Sequence, residues 1–421
     1  MKIKRIAIIG LGYVGLPLAV KLSNNFDVLG FDLNNKRVSE INKGIDSTKE
    51  VPNKELQKSL QSSLKISNAQ TELKTCNVFI VTVPTPVTSK NKPDFKPLLV
   101  ACRMIAKVME KKSIIVFEST VYPGATEEIC GKEIERVSKL RLDTDFYLGY
   151  SPERVNPGDK LHTIDKITKV ISSNNKQVEK VLFNIYSKLT CGKIFIAKDI
   201  KVAEASKVIE NSQRDINIAF MNEIAKICQR LNISIFDVLD ASKTKWNFLP
   251  FNPGLVGGHC IGVDPFYLAT KARQVGVEPK VILSGRNTND TMSDFIADLI
   301  DKNLQKKSKI LIFGLTFKEN VPDLRNSKIF NMIDYFKLKG HLISVCDPFV
   351  KQSPSNKIQI KKLEEIKSER FDSIILAVSH RPFRGLKIGT INSMLSKKGF
   401  IFDITGFWRD KKNKLKNYFS L

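Results

Sequence analysis

The chain has 421 residues, enough for two or three domains that each bury a core without disulfides or metal ions. It is 42% hydrophobic and 26% charged, with 22 glycines and 17 prolines, and this composition excludes a largely disordered, collagen-like or coiled-coil protein. The net charge of +25 would suit a polyanionic partner, but the lysines are spread over the whole length. This spread favours a generally basic surface and a diphosphate ligand over nucleic acid.

The seven cysteines are odd in number, scattered and without a Cys-x-x-Cys pair, so they predict neither a disulfide framework nor a metal site. This usage is typical of a reducing cytoplasm. The basic and apolar residues 1–20 resemble a secretory signal, but glycines interrupt them at a regular spacing and no cleavage site follows. No apolar run reaches the roughly 18 residues of a transmembrane helix, so we expect a cytoplasmic protein without a membrane partner.

The first half of the chain alternates short apolar runs with longer periodic stretches, the pattern of a parallel sheet flanked by helices. We expect buried strands at Ile6 to Ile9, Val28 to Phe31, Val78 to Val83, Ile114 to Phe117, Tyr147 to Tyr150 and Ile194 to Ala197.

A long helix is predicted from Ile200 to Asn232, where Gly and Pro are absent and apolar residues recur at three- and four-residue steps. At 1.5 Å per residue it would span about 50 Å, so we expect it to bridge two domains or to form a subunit interface. The Gly- and Pro-rich stretch from Phe248 to Pro265 is then predicted to be a functional loop.

The final third repeats the opening pattern. Its strands are expected at Ile310 to Phe313, Leu342 to Cys346, Ser373 to Val378 and Phe400 to Asp403. It offers Gly314-Leu-Thr-Phe-Lys-Glu319 in place of a Gly-x-Gly-x-x-Gly turn, so it should hold a different ligand. The predicted fold class is therefore α/β, with two Rossmann-like doubly wound parallel-sheet domains joined by a long central helix.

A glycine turn follows the first strand and opens a helix. It contains Gly10, Gly12, Tyr13, Val14 and Gly15, and Asp32 ends the next strand about 20 residues on. Such glycines let the backbone approach a pyrophosphate, and the helix N-terminus stabilises its charge. Asp32 would accept hydrogen bonds from the ribose of NAD and repel the extra phosphate of NADP, a preference that Arg37 weakens slightly. The pattern therefore predicts NAD as the cofactor.

Three further segments follow strands, and the ends of parallel strands usually line the ligand crevice. They are Pro84-Thr85-Pro86, Ser119-Thr120-Val121 and Ser151-Pro-Glu153-Arg154. A random glutamate is most often a surface carboxylate, but its position at a strand end makes Glu153 a candidate for chemistry.

Lys207 and Asn211 are four residues apart on the long helix and share a face, with Arg214 three residues further. Polar stripes on helices are usually solvated. Beside a cofactor cleft, an ammonium and an amide could instead stabilise a developing alkoxide.

Cys260 lies among glycines in the loop Gly254–Asp264, next to His259 and four residues before Asp264. A buried, inert thiol is the ordinary interpretation of a lone cysteine, as for the other six. In a Gly-rich loop the thiol could be an exposed nucleophile, whereas His259 is a weaker candidate because adjacent side chains often diverge.

Together these motifs resemble the UDP-glucose/GDP-mannose dehydrogenase family over essentially the whole chain. The motifs are Gly10–Pro17, Val83–Pro86, Glu118–Val121, Ser151–Glu153, Ala203–Lys207 with Asn211, Gly257–Cys260 with Asp264, and Gly314–Lys318 with Arg325. The resemblance implies an NAD-binding Rossmann domain over 1–198, a central helical dimerisation domain with the cysteine loop over 199–300, and a Rossmann-like UDP-sugar domain over 301–421. It also implies a homodimer.

By the same resemblance, Cys260 is the nucleophile that traps a C6 aldehyde, and Lys207, Asn211 and Asp264 surround the reacting oxygen. Glu153 assists thioester hydrolysis, and Thr120 places the water and the nicotinamide. The cofactor would also contact Pro84, Thr85, Ser119 and Arg325. The substrate would contact Glu153, Arg154, Lys207, Asn211, Arg214, Gly257 and Lys318.

Enzymes of this family that act on UDP-glucose usually carry lysine directly before the aspartate, where this chain has Val263. The run His259–Tyr267 resembles the UDP-N-acetylhexosamine 6-dehydrogenases of bacterial surface-polysaccharide (O-antigen and capsule) pathways, which act on UDP-GlcNAc or UDP-GalNAc. The segment Trp246–Phe248 would cover the N-acetyl group or simply pack. The implied reaction is a twofold NAD-dependent oxidation at C6.

Other interpretations remain open. UDP-glucose and UDP-ManNAc are alternative substrates, and a single-step hydroxyacid dehydrogenase of the 6-phosphogluconate type would share the first domain and the long helix. A nucleic-acid-binding protein would draw on the charge, but no matching motif supports it.

Overall fold

The computed structural model describes residues 1–155, 161, 163–191, 193–351 and 358–421. The chain divides into two compact units. Unit 1 comprises Met1–Glu210 and Phe266–Glu278, and unit 2 comprises Asn211–Pro265 and Pro279–Leu421. Within the described ranges, no helix combines the length and the apolar content that crossing a membrane requires.

Unit 1 is built on a six-stranded sheet. Its strands are β1 (Ile6–Ile9), β2 (Val28–Phe31), β3 (Leu64–Ser67), β4 (Val78–Val81), β5 (Ile114–Phe117) and β6 (Tyr147–Tyr150). All pairs are parallel and the order is β3-β2-β1-β4-β5-β6, which is the order of a dinucleotide-binding sheet. Both faces of β1 are buried because its four residues are apolar.

In the described part of the chain, six helices lie between or after these strands in sequence: α1 (Gly15–Leu22), α2 (Asn35–Asn42), α3 (Asn53–Leu60), α4 (Lys96–Ala106), α5 (Lys132–Ser138) and α6 (Lys176–Ser187). A separate two-stranded parallel sheet is formed by β7 (Lys169–Ile171) and β8 (Ile194–Ile196). The prediction of Ile194 to Ala197 as a buried strand is therefore wrong in one respect, because Phe195 and Ile196 are exposed.

The helix α7 (Ile200–Leu231) confirms the predicted long helix within one residue of its end. Its residues 200–210 belong to unit 1 and its residues 211–231 to unit 2. The remaining helices are α8 (Ile235–Ser242), α9 (Asp264–Gln274), α10 (Lys280–Asp290), α11 (Met292–Asp301), α12 (Ile329–Leu338), α13 (Leu363–Ile366), α14 (Arg381–Arg384) and α15 (Ile388–Ser393). Shorter 3-10 or π turns lie at Gln70–Thr75, Thr126–Gly131 and Arg409–Lys414.

Unit 2 contains a five-stranded parallel sheet. Its strands are β9 (Lys309–Phe313), β10 (Leu342–Cys346), β11 (Phe371–Leu376), β12 (Leu395–Asp403) and β13 (Tyr418–Ser420), in the order β10-β9-β11-β12-β13. Along β9, Ile310 and Ile312 pack in one buried core, whereas Leu311 and Phe313 pack in another. Apolar layers on both faces confirm the predicted doubly wound architecture.

Candidate active site

The glycine turn after β1 has the shape that a dinucleotide requires. Gly10 has a φ of +95°, and a Cβ on Gly15 would lie 1.8 Å from the Gly10 carbonyl oxygen, so neither position tolerates a side chain. Gly12 is exposed, and a Cβ there would have no described atom within 4 Å. Among the described residues, no side chain caps the start of α1. The turn therefore leaves room beside uncapped backbone N–H groups for a pyrophosphate.

Asp32 and Arg37 both bind the backbone of Leu11, within this turn. The Asp32 carboxylate accepts hydrogen bonds from the N–H groups of Leu11 and Asn34, each at 2.8 Å. Arg37 is buried, and its Nε donates to the Leu11 carbonyl at 2.8 Å while its other nitrogens donate to acidic side chains, including that of Asp46. A carboxylate has further lone pairs, so Asp32 can still accept a ribose hydroxyl. Arg37 therefore stabilises the turn through the Leu11 carbonyl.

The loops after β4 and β5 lie at the same edge of the sheet as the glycine turn. The Thr82 hydroxyl donates to the Gly10 carbonyl at 2.8 Å, and the buried Ser119 hydroxyl donates to the Val83 carbonyl at 2.6 Å. The other predicted cofactor residues of unit 1 are at least partly exposed here: Tyr13, Val14, Pro84, Thr85 and Thr120. Thr82 was missed from sequence because it was counted as a strand residue. These residues fit a dinucleotide.

Glu153 follows β6 at this edge and is nearly buried, with 12% of its side chain exposed. Its Oε1 accepts the Val155 N–H at 2.5 Å, and its Oε2 lies 3.4 Å from the Lys169 ammonium. Burial raises the pKa of Glu153, but Lys169, the Val155 N–H and Lys207 outweigh burial and lower it overall. Glu153 is therefore a charged carboxylate near neutral pH.

The two arginines predicted to contact the substrate have different surroundings. Arg154 lies 2.8 Å from Glu210 and donates to the Thr168 carbonyl at 3.1 Å. Arg214 is exposed on α7, away from the buried side of the helix.

The buried side of α7 carries a polar stripe, composed of Glu204, Lys207, Asn211, Asp215 and Asn222. The spacing of three, four, four and seven residues keeps these side chains on one helix face. Lys207 and Asn211 therefore belong to a longer row of buried polar groups than the sequence suggested.

Glu204, at the start of this stripe, binds the segment that follows β5. Its carboxylate accepts the N–H groups of Gly124 at 2.5 Å and Thr126 at 2.8 Å. Burial is the largest influence and raises the pKa of Glu204 to about 7, against the hydrogen bonds that lower it.

Asn222, at the other end of the stripe, holds the start of the cysteine loop. Its Nδ2 donates to the Gly254 carbonyl at 3.0 Å, and its Oδ1 accepts the Gly254 N–H at 2.8 Å. Its Nδ2 also donates to Asn289, which in turn donates to Asp215. The loop is thus tied to a buried polar network.

Within unit 2, Cys260 lies in a turn that leads directly into α9. The Cys260 carbonyl accepts the N–H groups of Val263 at 3.0 Å and Asp264 at 2.9 Å, and its side chain is exposed. Asp264 is buried and accepts a hydrogen bond from Asn211 Nδ2 at 2.5 Å. The thiol is therefore accessible at the turn that precedes α9 (Asp264–Gln274).

The glycines before Cys260 press against the loop after β9. A Cβ on Gly257 would lie 2.7 Å from the Phe317 Cβ, and Gly258 has a φ of +82°. The Gly258 N–H donates to the Arg325 carbonyl at 3.1 Å, and Asn326 Nδ2 donates to the Gly258 carbonyl at 3.1 Å. The cysteine turn and this loop therefore form a single packed structure in which Gly257 has a steric role.

Lys318 and Arg325 lie in that same loop. The Lys318 carbonyl accepts the Thr316 hydroxyl at 2.8 Å, and Arg325 pairs with both oxygens of Asp323. Lys318 is partly buried and Arg325 is exposed. Burial first and Arg325 second lower the pKa of His259, which is therefore neutral near pH 7.

Two sequence interpretations are refined. Trp246 is 92% exposed, whereas Phe248 packs against the core of unit 2, so only Phe248 fulfils the packing alternative. The expectation of six buried structural cysteines besides Cys260 is wrong for Cys191, which is exposed.

Comparison with known proteins identifies three consecutive matches to the UDP-glucose/GDP-mannose dehydrogenase family. Its NAD binding domain matches residues 4–190, its central domain residues 201–291 and its UDP binding domain residues 311–410.

Individual relatives match over most of the chain. A UDP-N-acetyl-D-glucosamine 6-dehydrogenase of Pseudomonas aeruginosa is 43% identical over 99% of this chain and 100% of that protein. A protein of the same name from Salmonella typhi is 43% identical over 95% of both chains. A solved structure of a UDP-D-ManNAc dehydrogenase from Pyrococcus horikoshii has a TM-score of 0.85 and 29% identity, covering 95% of this chain and 94% of that one.

Proposed function

Because the chain belongs to the UDP-glucose/GDP-mannose dehydrogenase family, it is an NAD-dependent UDP-sugar dehydrogenase, and we propose that it oxidises a UDP-N-acetylhexosamine twice at C6. The product is the uronic acid, and UDP-GlcNAc and UDP-GalNAc are the proposed substrates. Two relatives named UDP-N-acetyl-D-glucosamine 6-dehydrogenases are 43% identical, against 29% for the solved UDP-D-ManNAc enzyme. Val263, in place of lysine, also argues against UDP-glucose. A supply of uronic acid for surface polysaccharide is the corresponding role.

The observation that carries this proposal is the Cys260 turn. An exposed thiol at the start of a helix, four residues before a buried carboxylate that an amide contacts, has the features of an activated nucleophile. A one-step alcohol dehydrogenase needs no such thiol. The turn therefore supports a four-electron oxidation.

In the proposed mechanism, Asp264 takes up the proton of the C6 hydroxyl, while the Lys207 ammonium and Asn211 stabilise the alkoxide. NAD, when bound, supplies the acceptor of each hydride that leaves C6. Cys260 adds to the aldehyde carbon and forms a thiohemiacetal.

The second oxidation leaves a thioester on Cys260. Glu153 accepts a proton from water, which attacks the thioester carbon, and the free acid departs as the thiolate is restored. Thr120 is proposed to orient this water, and Lys318 to contact the sugar. Arg325 is proposed to contact the cofactor.

The domain roles follow from the same proposal. Residues 1–198 bind NAD, 199–300 carry the cysteine loop and the dimer contact, and 301–421 bind the UDP-sugar. A homodimer is supported by large apolar side chains that α7 leaves exposed: Val202, Ile209, Phe220, Ile227 and Leu231. A cytoplasmic location is supported by the cysteine usage.

A panel of UDP-sugars with NAD tests the proposal. UDP-GlcNAc or UDP-GalNAc should give two NADH per sugar, and one NADH per sugar would identify a single-step dehydrogenase. Cys260→Ser should fail to release the free acid, whereas the matched change at the other exposed cysteine, Cys191→Ser, should turn over normally. Normal turnover by Cys260→Ser would remove the thiol from the mechanism.

The role of Glu153 has its own test. Glu153→Gln should accumulate a thioester, visible as a mass increase of the protein after mixing with substrate and NAD. An unmodified protein with normal acid release would contradict a role of Glu153 in hydrolysis.

A further inference from the structure

Unit 1 contains a buried lysine next to Glu153, the proposed base in thioester hydrolysis. Lys169, the first residue of β7, has no exposed side-chain surface. Its ammonium lies 2.8 Å from Glu118 Oε2 and 3.4 Å from Glu153 Oε2. Glu118, the first residue after β5, is also fully buried and accepts the Tyr186 hydroxyl at 2.6 Å. The sequence interpretation gave no role to Lys169 or Glu118.

The charges in this cluster balance. Among the described residues, four titratable groups interact with Glu153 from the surrounding elements: Lys169 on β7, Glu118 after β5, Tyr186 on α6 and Lys207 on α7. Burial raises the pKa of Glu118 overall, against the ion pair with Lys169 that lowers it. In the state with both carboxylates ionised and the phenol neutral, two ammonium groups accompany two carboxylates. Removal of one ammonium would leave an uncompensated carboxylate among buried side chains, which is energetically costly.

The contacts also fix the orientation of Glu153. One of its oxygens accepts the Val155 N–H and the other faces Lys169, so the carboxylate is held at both ends. The exposed part of the side chain leaves lone pairs open to a water molecule. A held carboxylate is better prepared for proton transfer than a mobile one.

We propose that Lys169, fixed by Glu118, is a positioning residue that holds the Glu153 carboxylate in place as the charged base for thioester hydrolysis. This inference rests on the proposed function. Lys169 does not contact the substrate in this proposal; it acts through Glu153.

Two substitutions should change the pKa of Glu153 in opposite directions. Lys169→Met removes the positive charge nearest to Glu153, so the pKa should rise. Glu118→Gln removes a negative charge and leaves Lys169 paired with Glu153 alone, so the pKa should fall. A purely structural role would not give shifts of opposite sign.

The test is the pH profile of kcat, measured with the UDP-sugar and NAD at saturation, for both variants and for Lys169→Arg. We expect Lys169→Met to move the acid limb up by about one pH unit or more. At pH 7, where Glu153 stays ionised, the loss of its fixed orientation should lower kcat about tenfold or more, with both KM values nearly unchanged, and accumulate thioester. Glu118→Gln should move the acid limb down, and Lys169→Arg should restore most of kcat. Lys176→Met, at an exposed ion pair on α6, is the matched control.

Glu118→Gln keeps the test decisive if Lys169→Met does not fold. Acid limbs that coincide with the wild type in the folded variants would overturn the inference. If Glu153→Gln accumulates thioester while those limbs stay in place, only the role of Lys169 fails. If Glu153→Gln hydrolyses normally, the proposed role of Glu153 fails first.

Discussion

Gly12 offers a direct test of the cofactor site. Because a Cβ at this position meets no described atom within 4 Å and φ is not positive, Gly12→Ala should leave the fold intact. By restricting the unfolded chain it should even stabilise the protein slightly, by about 0.4–1 kcal/mol. The added methyl group would, however, occupy the space through which a pyrophosphate approaches the backbone.

The expected loss of affinity can be calculated. A hydrogen bond from a backbone N–H to a charged oxygen contributes about 1.5–3 kcal/mol, so the loss of one such contact should weaken NAD binding roughly 10- to 150-fold. Calorimetric titration with NAD and a thermal melt measure the two effects separately. Gly389→Ala, in an equally open position of unit 2, is the matched control and should bind NAD normally.

Gly15→Ala should behave differently, because its Cβ would lie 1.8 Å from the Gly10 oxygen and would disturb the turn itself. It should lower both the stability and the affinity for NAD. The reasoning would be refuted if Gly12→Ala bound NAD within about twofold of the wild type.

Three further substitutions test other parts of the structure. The pKa of Glu204 is about 7 in the folded protein and 4.5 in the unfolded reference. The unfolded chain therefore loses this proton first, and the stability of the fold falls as the pH rises between these values. Relative to Glu204→Gln, the free energy of unfolding in urea should be ~3 kcal/mol lower at pH 8 than at pH 5. Asn222→Leu leaves the Gly254 amide and carbonyl without their buried partner, so it should lower the free energy of unfolding in urea by about 1–3 kcal/mol. It should also lower kcat, with a smaller change in the KM for NAD. Gly257→Ala should displace the cysteine turn and slow both turnover and thiol alkylation about tenfold or more. Gly262→Ala is the control and should slow neither, because its added Cβ would lie 3.9 Å from the nearest atom. Equal rates in the two variants would contradict the steric role of Gly257.

Much of the architecture was predictable because its signals are local. The turn Gly10–Gly15 stands between a strand and a helix, and α7 lacks both Gly and Pro, so each could be assigned from its own residues. The strands β3, β7 and β13 were missed because each is short and contains a lysine or a serine, whereas the equally short β1 is entirely apolar. Such runs give too few residues for a period to be recognised.

The candidate site was predicted less completely, for a different reason. Cys260 and Asp264 are close in sequence, so their spacing indicated a shared role. Lys169 gave no such indication, because a lysine is expected at the surface. Its burial is stabilised by carboxylates that are remote in sequence but close in space. Asn222 was overlooked since its partner, Gly254, lies 32 residues away.

The packing of Gly257 and Gly258 against Phe317 limits how this protein can diversify. The turn that bears the thiol packs closely against the loop that bears Lys318. A substitution that moves one of these segments therefore requires a compensating substitution in the other. Homologues with a new sugar preference should therefore keep this pair of glycines together with the aromatic ring. Their substitutions should concentrate instead at exposed positions such as Trp246, which is 92% exposed.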